Sequence, residues 1–217
     1  MKNAVIWGAG GFGQEVLPFL QIMGHYNIVG FIDTNPSLKG KIINGIPVLG
    51  DDSLLESVVK EDVLYVFIAV GNSSIREFLF KKILDMGLEP INIIHPSSVI
   101  VPNVSLGRGV VIYPNATINT NVRIGDSVLI NSNVSIGHDV EIEDFVNVNP
   151  GVNIAGRVKI KKFAFLGIGC SVLENVVIGQ KAIIGGGALV RKDVLPETVV
   201  VGVPARPIRS VLKKSGE

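Results

Sequence analysis

The chain has 217 residues, of which 47% are hydrophobic, so it can bury one large core or two small ones. Its 20 Lys and Arg balance 19 Asp and Glu, and this near-neutral charge argues against nucleic-acid binding and against a polybasic membrane anchor. The sequence has one cysteine, no signal-peptide core and no apolar run near the ~18 residues of a membrane span, and therefore predicts a cytoplasmic protein that is not inserted in a membrane.

The first 92 residues alternate short apolar runs with amphipathic stretches of helical length. Strands are predicted over residues 4–7, 28–33 and 64–71, and crossover helices over residues 13–23, 53–60 and 74–86. This alternation is typical of a doubly wound parallel sheet. Residues 1–92 are therefore predicted to form a Rossmann-like nucleotide-binding domain, half the size of the full dinucleotide fold.

A glycine-rich loop follows the first predicted strand. Gly8, Gly10 and Gly13 spell G-x-G-x-x-G with Gly11 inside the motif, and Asp33 lies 20 residues after Gly13 at the end of the next strand. Such glycines and the helix N-terminus behind them hold a diphosphate, and the carboxylate accepts ribose or base hydrogen bonds. NAD and nucleotide-linked sugars both present these groups, but half a dinucleotide fold leaves no place for a nicotinamide to react, which favours a nucleotide sugar.

The third predicted strand ends at the same edge of the sheet as the glycine-rich loop. Gly71 and Asn72 close this strand, so both are candidates to contact the same ligand. An NAD-dependent redox enzyme remains the alternative for this domain, and a titration with reduced nicotinamide would distinguish the two.

A period of six residues governs the rest of the chain. Every sixth residue from Ile94 to Val190 is Ile, Leu or Val, and the residue four places after each is small or β-branched. This period fits neither a single helix nor a single strand. It predicts three-residue strands such as residues 140–142, separated by three-residue turns, with three such units closing an 18-residue triangular coil.

The position of each reactive side chain within the six-residue repeat predicts whether it points into the core or outward. Cys170 belongs to the small inward set, so we expect it to be a buried, un-ionised core residue, which disfavours covalent catalysis. His138 occupies the middle of a turn at a corner of the prism, where its ring is accessible. An acid such as Asp139, Glu141 or Asp144 could hold one ring nitrogen and make the other more basic. An exposed histidine without a role is the alternative.

The repeat resembles the hexapeptide-repeat family, whose members form a left-handed parallel β-helix, and the handedness is implied by that resemblance. Four features restrict the resemblance to a smaller group within this family. They are the N-terminal unit, "GHD" at a corner, "IIGGGALV" near the last coil and the closing "VVVGVPAR". Together they are similar to bacterial N-acetyltransferases of nucleotide-linked 4-amino-4,6-dideoxy sugars and to the related sialic acid O-acetyltransferases. The implied fold is an α/β half-Rossmann unit followed by an all-β left-handed parallel β-helix over residues 93–217, with a short C-terminal tail.

The resemblance also implies an activity, which is direct acetyl transfer from acetyl-CoA to the sugar 4-amino group without a metal. By it, His138 is the general base and Asp139 its acidic partner. Some relatives carry a second histidine nine residues after the first; here that position is Asn147, a candidate donor to the thioester carbonyl. The remaining acetyl-CoA positions implied are Gly156, Ile168 and Gly186, and Arg206 is a candidate for the CoA 3′-phosphate.

The resemblance predicts a homotrimer. The outward strand residues include apolar side chains that would favour burial between prisms, namely Val111, Leu129, Phe165, Val177, Ile183 and Leu189. Two alternatives remain open, a sugar O-acetyltransferase of the sialic acid type and a non-catalytic nucleotide-sugar-binding scaffold. A metal-dependent lyase on the same prism needs three clustered histidines, and the positions of the three histidines here argue against it.

Overall fold

A computed structural model of the chain describes residues 1–55 and 64–211. The chain divides into two compact units, Met1–Ile94 and His95–Glu217. Most of the helix predicted over residues 53–60 lies outside the described residues, although a 3₁₀ turn is present at Asp52–Leu54. Within the described ranges, no helix combines the length and apolar character needed to cross a membrane.

The elements of the first unit are β1 Lys2–Trp7, α1 Gly11–Met23, β2 Tyr26–Ile32, a 3₁₀ turn Pro36–Leu38, β3 Ile42–Ile43, β4 Ile46–Gly50, β5 Tyr65–Ile68, α2 Ser73–Asp85, β6 Glu89–Pro90 and β7 Ile93–Ile94. Six of these strands form a mainly parallel sheet in the order β3-β4-β2-β1-β5-β6. Among the described strands of this sheet, the β3–β4 hairpin, absent from the predicted elements, is the one antiparallel pair.

The central position of β1 explains its apolar sequence. β1 pairs with β2 on one side and β5 on the other, and Ala4, Val5 and Ile6 are all completely buried. Because successive side chains of a strand point to opposite faces, both faces of the sheet are covered at β1. The carboxyl ends of β1, β2 and β5 carry the glycine-rich loop, Asp33 and the Gly71 loop. The sheet therefore gathers these predicted ligand-binding segments at one edge, as its parallel topology requires.

The second unit is a stack of triangular coils. Before the last coil, each strand pairs in parallel with the strand 18 residues further on, as in Arg123 with Glu141 and Glu141 with Lys159. The strands are β8 Val99–Ile100, β9 Ser105–Leu106, β10 Val111–Ile112, β11 Thr117–Ile118, β12 Arg123–Ile124, β13 Leu129–Ile130, β14 Ser135–Ile136, β15 Glu141–Ile142, β16 Asn147–Val148, β17 Asn153–Ile154, β18 Lys159–Ile160, β19 Phe165–Leu166, β20 Ser171–Val172, β21 Val177–Ile178, β22 Ile183–Ile184 and β23 Leu189–Val190.

Three sheets form the three sides of these coils. Sheet I contains β10, β13, β16, β19 and β22, sheet II contains β8, β11, β14, β17, β20 and β23, and sheet III contains β9, β12, β15, β18 and β21. From Val110 onward both residues of the inward set are buried in each repeat, as Val140 and Ile142 show, whereas Glu141 between them is half-buried. In the first coil the inward residues, such as Val104 and Leu106, are only partly buried. The predicted alternation is correct, although the hydrogen-bonded strands are two residues long instead of three.

The six-residue phase ends at Val190. Ile178 bridges Val194 and Ile184 pairs with Val200, so each partner in this last coil lies 16 residues on. The stack closes with β24 Thr198–Val201 and an antiparallel β25 Arg206–Ser210. The regular spacing of 18 residues between stacked strands is therefore shortened to 16 in this final coil.

Two of the outward apolar residues do not form an exposed face. Val111 is completely buried and Leu129 is 7% exposed within the single chain, whereas Phe165 is 39% exposed. The phase fixes which side of a strand a residue occupies, but it does not show what covers that side. The expectation that all six residues are available to a neighbouring prism is wrong for these two.

Candidate active site

His138 lies at the corner between sheets II and III, in the turn that links β14 to β15. Its side chain is 48% exposed, and its Nδ1 lies 2.7 Å from Oδ2 of Asp139. Because a carboxylate only accepts hydrogen bonds, this contact places a proton on Nδ1 of the ring. Nε2 of the neutral ring is then an acceptor, which is the form that a general base needs.

Asp139 is held in the left-handed region of backbone space, with a φ of 58°. Its N–H donates to the carbonyl of Thr120 at 3.0 Å, and its Oδ1 accepts from the Asn121 amide at 3.0 Å. Hydrogen bonds from His138 and then Asn121, helped by the charge of Arg157, lower the pKa of the Asp139 carboxyl below its ordinary value. The carboxylate is therefore ionised at neutral pH.

Gly156 lies one coil beyond His138 and makes room for the imidazole. A Cβ added at Gly156 would lie 2.6 Å from Nε2 and 2.7 Å from Cε1 of His138. The His138 carbonyl accepts a hydrogen bond from the N–H of Arg157 at 2.9 Å, which ties the two coils together. The structure thus brings together His138, Asp139 and Gly156 from the predicted site residues.

The other two acids considered as partners of His138 make different contacts. Glu141 pairs with Arg123, and Oδ1 of Asp144 accepts from the N–H of Asp126 at 2.9 Å. The expectation that either one could hold the imidazole is wrong, because these strand and corner contacts already orient their carboxylates. Asp139 is the acid that contacts His138.

The remaining predicted acetyl-CoA residues occupy other parts of the prism. Asn147 lies on β16 in sheet I, so the structure does not bring it to the His138 corner within one chain. Ile168 is 65% exposed at the corner between sheets I and II, and a Cβ at Gly186, one coil further on, would lie 3.3 Å from the carbonyl of Ile168. The corners of Gly156 and Ile168 flank sheet II on its two sides.

Arg206 lines a groove near the last coil. The groove has a volume of about 400 Å³ and combines apolar walls with positive charge. Sequence reasoning missed two further cations that line it, Arg191 and Lys192, although they follow directly after the end of the repeat. Other lining residues include Leu195, Pro204 and Pro207.

The glycines of the first unit divide into two kinds. Gly8 has a φ of 118° and lies so close to β5 that a Cβ would be 2.7 Å from the carbonyl oxygen of Ala69. A Cβ at Gly13 would overlap the carbonyl oxygen of Gly8, so these two glycines allow close packing of loop, helix and sheet. Gly10 and Gly11 face open space instead, which leaves their backbone accessible to a ligand.

Asp33 makes structural contacts that the glycine-rich motif in the sequence did not reveal. Its Oδ2 accepts from the N–H of Ala9 at 2.8 Å, and its Oδ1 accepts from the N–H of Asn35 at 2.8 Å. The carboxylate therefore holds the glycine-rich loop itself. Each oxygen keeps a further lone pair, so a ligand hydroxyl can still donate to it.

The loop after β5 is supported from within the protein by Arg76. Its side chain is 1% exposed, and its Nη1 donates to the carbonyls of Val70 at 3.0 Å and Gly71 at 2.9 Å. Burial lowers the pKa of Arg76 to about 10, which still leaves it charged at neutral pH. Asn72 accepts hydrogen bonds from the N–H groups of Ser74 and Ile75 and so caps α2. Sequence reasoning missed Arg76, since nothing in the helical pattern marks it as buried.

Cys170 is completely buried, and burial raises its pKa to about 12, as expected for an un-ionised core residue. Among the described residues, no group of three or more His, Cys, Asp or Glu side chains is arranged to hold a metal ion. The acid–base pair at the His138 corner is therefore the main candidate for chemistry in the described chain.

Comparison with known proteins identifies relatives of both units. The PglD N-terminal domain family matches residues 3–83. A histidine-to-asparagine variant of perosamine N-acetyltransferase from Caulobacter crescentus, solved with CoA and GDP-perosamine, is 32% identical with a TM-score of 0.91, covering 96% of this chain and 97% of that one. The acetyltransferase domain of PglB from Neisseria gonorrhoeae FA1090 is 27% identical with a TM-score of 0.88, covering 96% of this chain and 100% of that one.

A curated relative is the GDP-perosamine N-acetyltransferase of Escherichia coli O157:H7. It is 36% identical over 111 residues, which are 49% of this chain and 48% of that protein. The matched region thus spans about half the length of this curated relative.

The α/β unit and the stacked parallel coils define a hexapeptide-repeat protein of the left-handed β-helix class. The chain belongs to the family of hexapeptide-repeat sugar acetyltransferases that includes the perosamine N-acetyltransferases. The predicted family and fold class are confirmed.

Proposed function

We propose that the protein transfers an acetyl group from acetyl-CoA to the 4-amino group of a nucleotide-linked 4-amino-4,6-dideoxy sugar. The observation that carries the proposal is the His138 corner, where the imidazole lies between Asp139 and Gly156. Solved relatives that align with 95–96% of this chain bind CoA and GDP-perosamine. GDP-perosamine is therefore the first acceptor to test.

The proposed reaction moves one proton from the sugar nitrogen to the CoA sulfur by way of His138. The sugar amine attacks the thioester carbonyl while Nε2 of His138 accepts a proton from the nitrogen, and Asp139 stabilises the imidazolium that forms. The carbon–sulfur bond then breaks, and the CoA sulfur leaves with the proton that His138 had accepted, which restores the neutral imidazole. The backbone N–H of Gly156 is the proposed donor to the oxygen that becomes negative during attack.

The proposed acetyl-CoA contacts follow the surface of the β-helix. Ile168 and Gly186 form a corner with little side-chain bulk at Gly186, so an extended pantetheine can lie against the backbone. Arg206 lines the positively charged groove near the last coil, which suits the phosphates of CoA. Asn147 lies in a different sheet from the His138 corner of its own chain. It can therefore donate a hydrogen bond to the thioester carbonyl only at the His138 corner of a neighbouring chain.

That separation supports a homotrimer, in which a residue of one prism can approach the His138 corner of the next. Exposed Phe165, on the same sheet as Asn147, offers apolar area for such a contact. Both proposed substrates are cytoplasmic metabolites, and this supports a cytoplasmic location.

The proposed nucleotide-sugar contacts lie in the first unit. The N-terminus of α1 begins after Gly10 without a side-chain cap and without an acid in its first turn, so its N–H groups suit a diphosphate. Gly8 and Gly13 shape this loop, Gly11 lies open beside it, and Asp33 has lone pairs for a ribose hydroxyl. The loop at Gly71 and Asn72 ends the neighbouring strand at the same edge of the sheet.

Thiol release from acetyl-CoA, measured over GDP-, UDP- and dTDP-linked 4-amino sugars with sialic acid as a hydroxyl acceptor, tests the proposal. The wild type and a matched control, His95→Ala, should turn over one amino sugar rapidly, and His138→Ala should lose this activity. His95 is a suitable control because its Nδ1 contacts Ser97, away from the His138 corner. Turnover of sialic acid alone would indicate an O-acetyltransferase, and tight nucleotide-sugar binding without any thiol release would indicate a scaffold.

A further inference from the structure

One polar side chain contacts the catalytic pair from the coil before it. Asn121 lies 18 residues before Asp139 in the same corner of the prism, and its Nδ2 donates to Oδ1 of Asp139 at 3.0 Å. The other carboxylate oxygen, Oδ2, contacts Nδ1 of His138 at 2.7 Å. The two oxygens of one exposed carboxylate are thus held by two different partners.

The amide of Asn121 is oriented with its nitrogen toward Asp139. The hydroxyl of Thr120 lies 3.4 Å from Oδ1 of Asn121 and 3.3 Å from the carbonyl oxygen of Pro102, so these two acceptors share its single proton. The charged group that faces Asp139 from the next coil, Arg157, acts on it through its charge, and Nε of Arg157 donates to Asn175. Asn121 is therefore the neutral donor that fixes the rotation of the carboxylate.

We propose that Asn121 is a positioning residue, which clamps Oδ1 of Asp139 so that Oδ2 stays on Nδ1 of His138 and Nε2 remains the proton acceptor. The role rests on the proposed function of His138, although the clamp itself is a property of the protein without substrates. A hydrogen bond at one oxygen restricts rotation of the carboxylate away from the imidazole, and a fixed tautomer is what base catalysis at Nε2 requires.

A purely conformational role for Asn121 makes a different prediction. Asn121 has a φ of 59°, and asparagine is common in this left-handed region for backbone reasons alone. Asn115, in the same coil but at the corner between sheets I and II, has a φ of 60°, and its amide donates to Asn133 at 3.4 Å. The two residues share their backbone conformation, but only the contact of Asn121 reaches an ionised group that touches His138.

The test compares Asn121→Gly with Asn115→Gly, because glycine keeps the positive φ while removing the amide. In the protein without substrates, ¹⁵N NMR of His138 measures the tautomer and ¹³C NMR of Asp139 measures its pKa. We expect Asn121→Gly to raise the pKa of Asp139 and to mix the two tautomers of His138, whereas Asn115→Gly should change neither. The kcat of Asn121→Gly should fall about tenfold, as expected for the loss of one charge-assisted hydrogen bond, with the KM for acetyl-CoA unchanged.

Asn121→Asp provides the second variant, since aspartate tolerates the same φ and has the same shape but cannot donate. It should mix the tautomers as Asn121→Gly does. Wild-type tautomer and Asp139 titration in both variants would overturn the proposal, as would equal changes in Asn115→Gly. If the NMR changes occur while His138→Ala stays fully active, the clamp is supported and the proposed function fails.

Discussion

The close contact between Gly156 and His138 makes Gly156→Ala a direct test of the catalytic geometry. The added methyl would lie 2.6 Å from Nε2, whereas ordinary van der Waals contact begins at 3.4 Å, so the imidazole must retreat by about 0.8 Å. The obstructing atoms belong to the end of a half-exposed side chain, and the backbone of Gly156 does not have a positive φ. The fold should therefore accept alanine with a change in unfolding free energy of no more than about 0.5 kcal/mol.

Catalysis should respond far more strongly than stability. A displacement of about 1 Å in a catalytic group can cost on the order of 100-fold in rate, which corresponds to about 2.7 kcal/mol of activation free energy. We expect the kcat of Gly156→Ala for acetyl transfer to fall by about this factor, while the thermal unfolding midpoint stays close to that of the wild type. Steady-state thiol release and a thermal melt measure the two quantities.

A double-mutant cycle identifies the cause of the loss. If the methyl acts by moving the imidazole, Gly156→Ala should lower kcat in the wild type but have little further effect on the slow residual rate of His138→Ala, measured at high enzyme concentration. Wild-type kcat in Gly156→Ala would refute the reasoning. A loss of equal size in both backgrounds would show that Gly156 acts independently of His138, through its contact with acetyl-CoA or through its N–H.

Three other predictions follow from buried or charged groups. Because burial raises the pKa of Cys170 to about 12, its thiol should not react with a disulfide reagent at pH 8 in the folded protein, and Cys170→Ala should keep its kcat. Arg76→Met removes two hydrogen bonds to the Gly71 loop, so we expect about 2–4 kcal/mol less stability by chemical denaturation and about tenfold weaker nucleotide-sugar binding by calorimetry. Arg206→Ala should raise the KM for acetyl-CoA but not for its 3′-dephospho form, and an equal rise for both donors would contradict a contact with the 3′-phosphate.

The repeat could be predicted from the sequence because a single physical rule determines it. Strand residues two apart share a face, so a three-sided stack demands the same apolar phase in every unit. The phase correctly placed Cys170 in the core and His138 at a corner, and Asp139 followed as the adjacent acid. These are local or periodic properties, which a linear sequence records directly.

Contacts that depend on tertiary packing were harder to predict from the sequence. The 18-residue coil places Gly156 one coil from His138, but the sequence does not show that the imidazole lies against Gly156, because this contact depends on the conformation of the His138 side chain. Asp33 likewise resembles a ligand residue in the motif, but its contact with Ala9 depends on how two strand ends meet. The burial of Arg76 and the 16-residue final coil have the same origin, since each reflects tertiary packing that overrides the local pattern.

The central claim is direct transfer of acetyl from acetyl-CoA to a sugar amine with His138 as the base. The most direct measurement incubates wild type, His95→Ala and His138→Ala with acetyl-CoA and GDP-perosamine, and compares released thiol with the acetylated sugar nucleotide found by mass spectrometry and NMR. The account predicts one N-acetyl group formed for each thiol released by the wild type and His95→Ala, with both products lost in His138→Ala. Thiol release without an acetylated amine, or full product formation by His138→Ala, would contradict it.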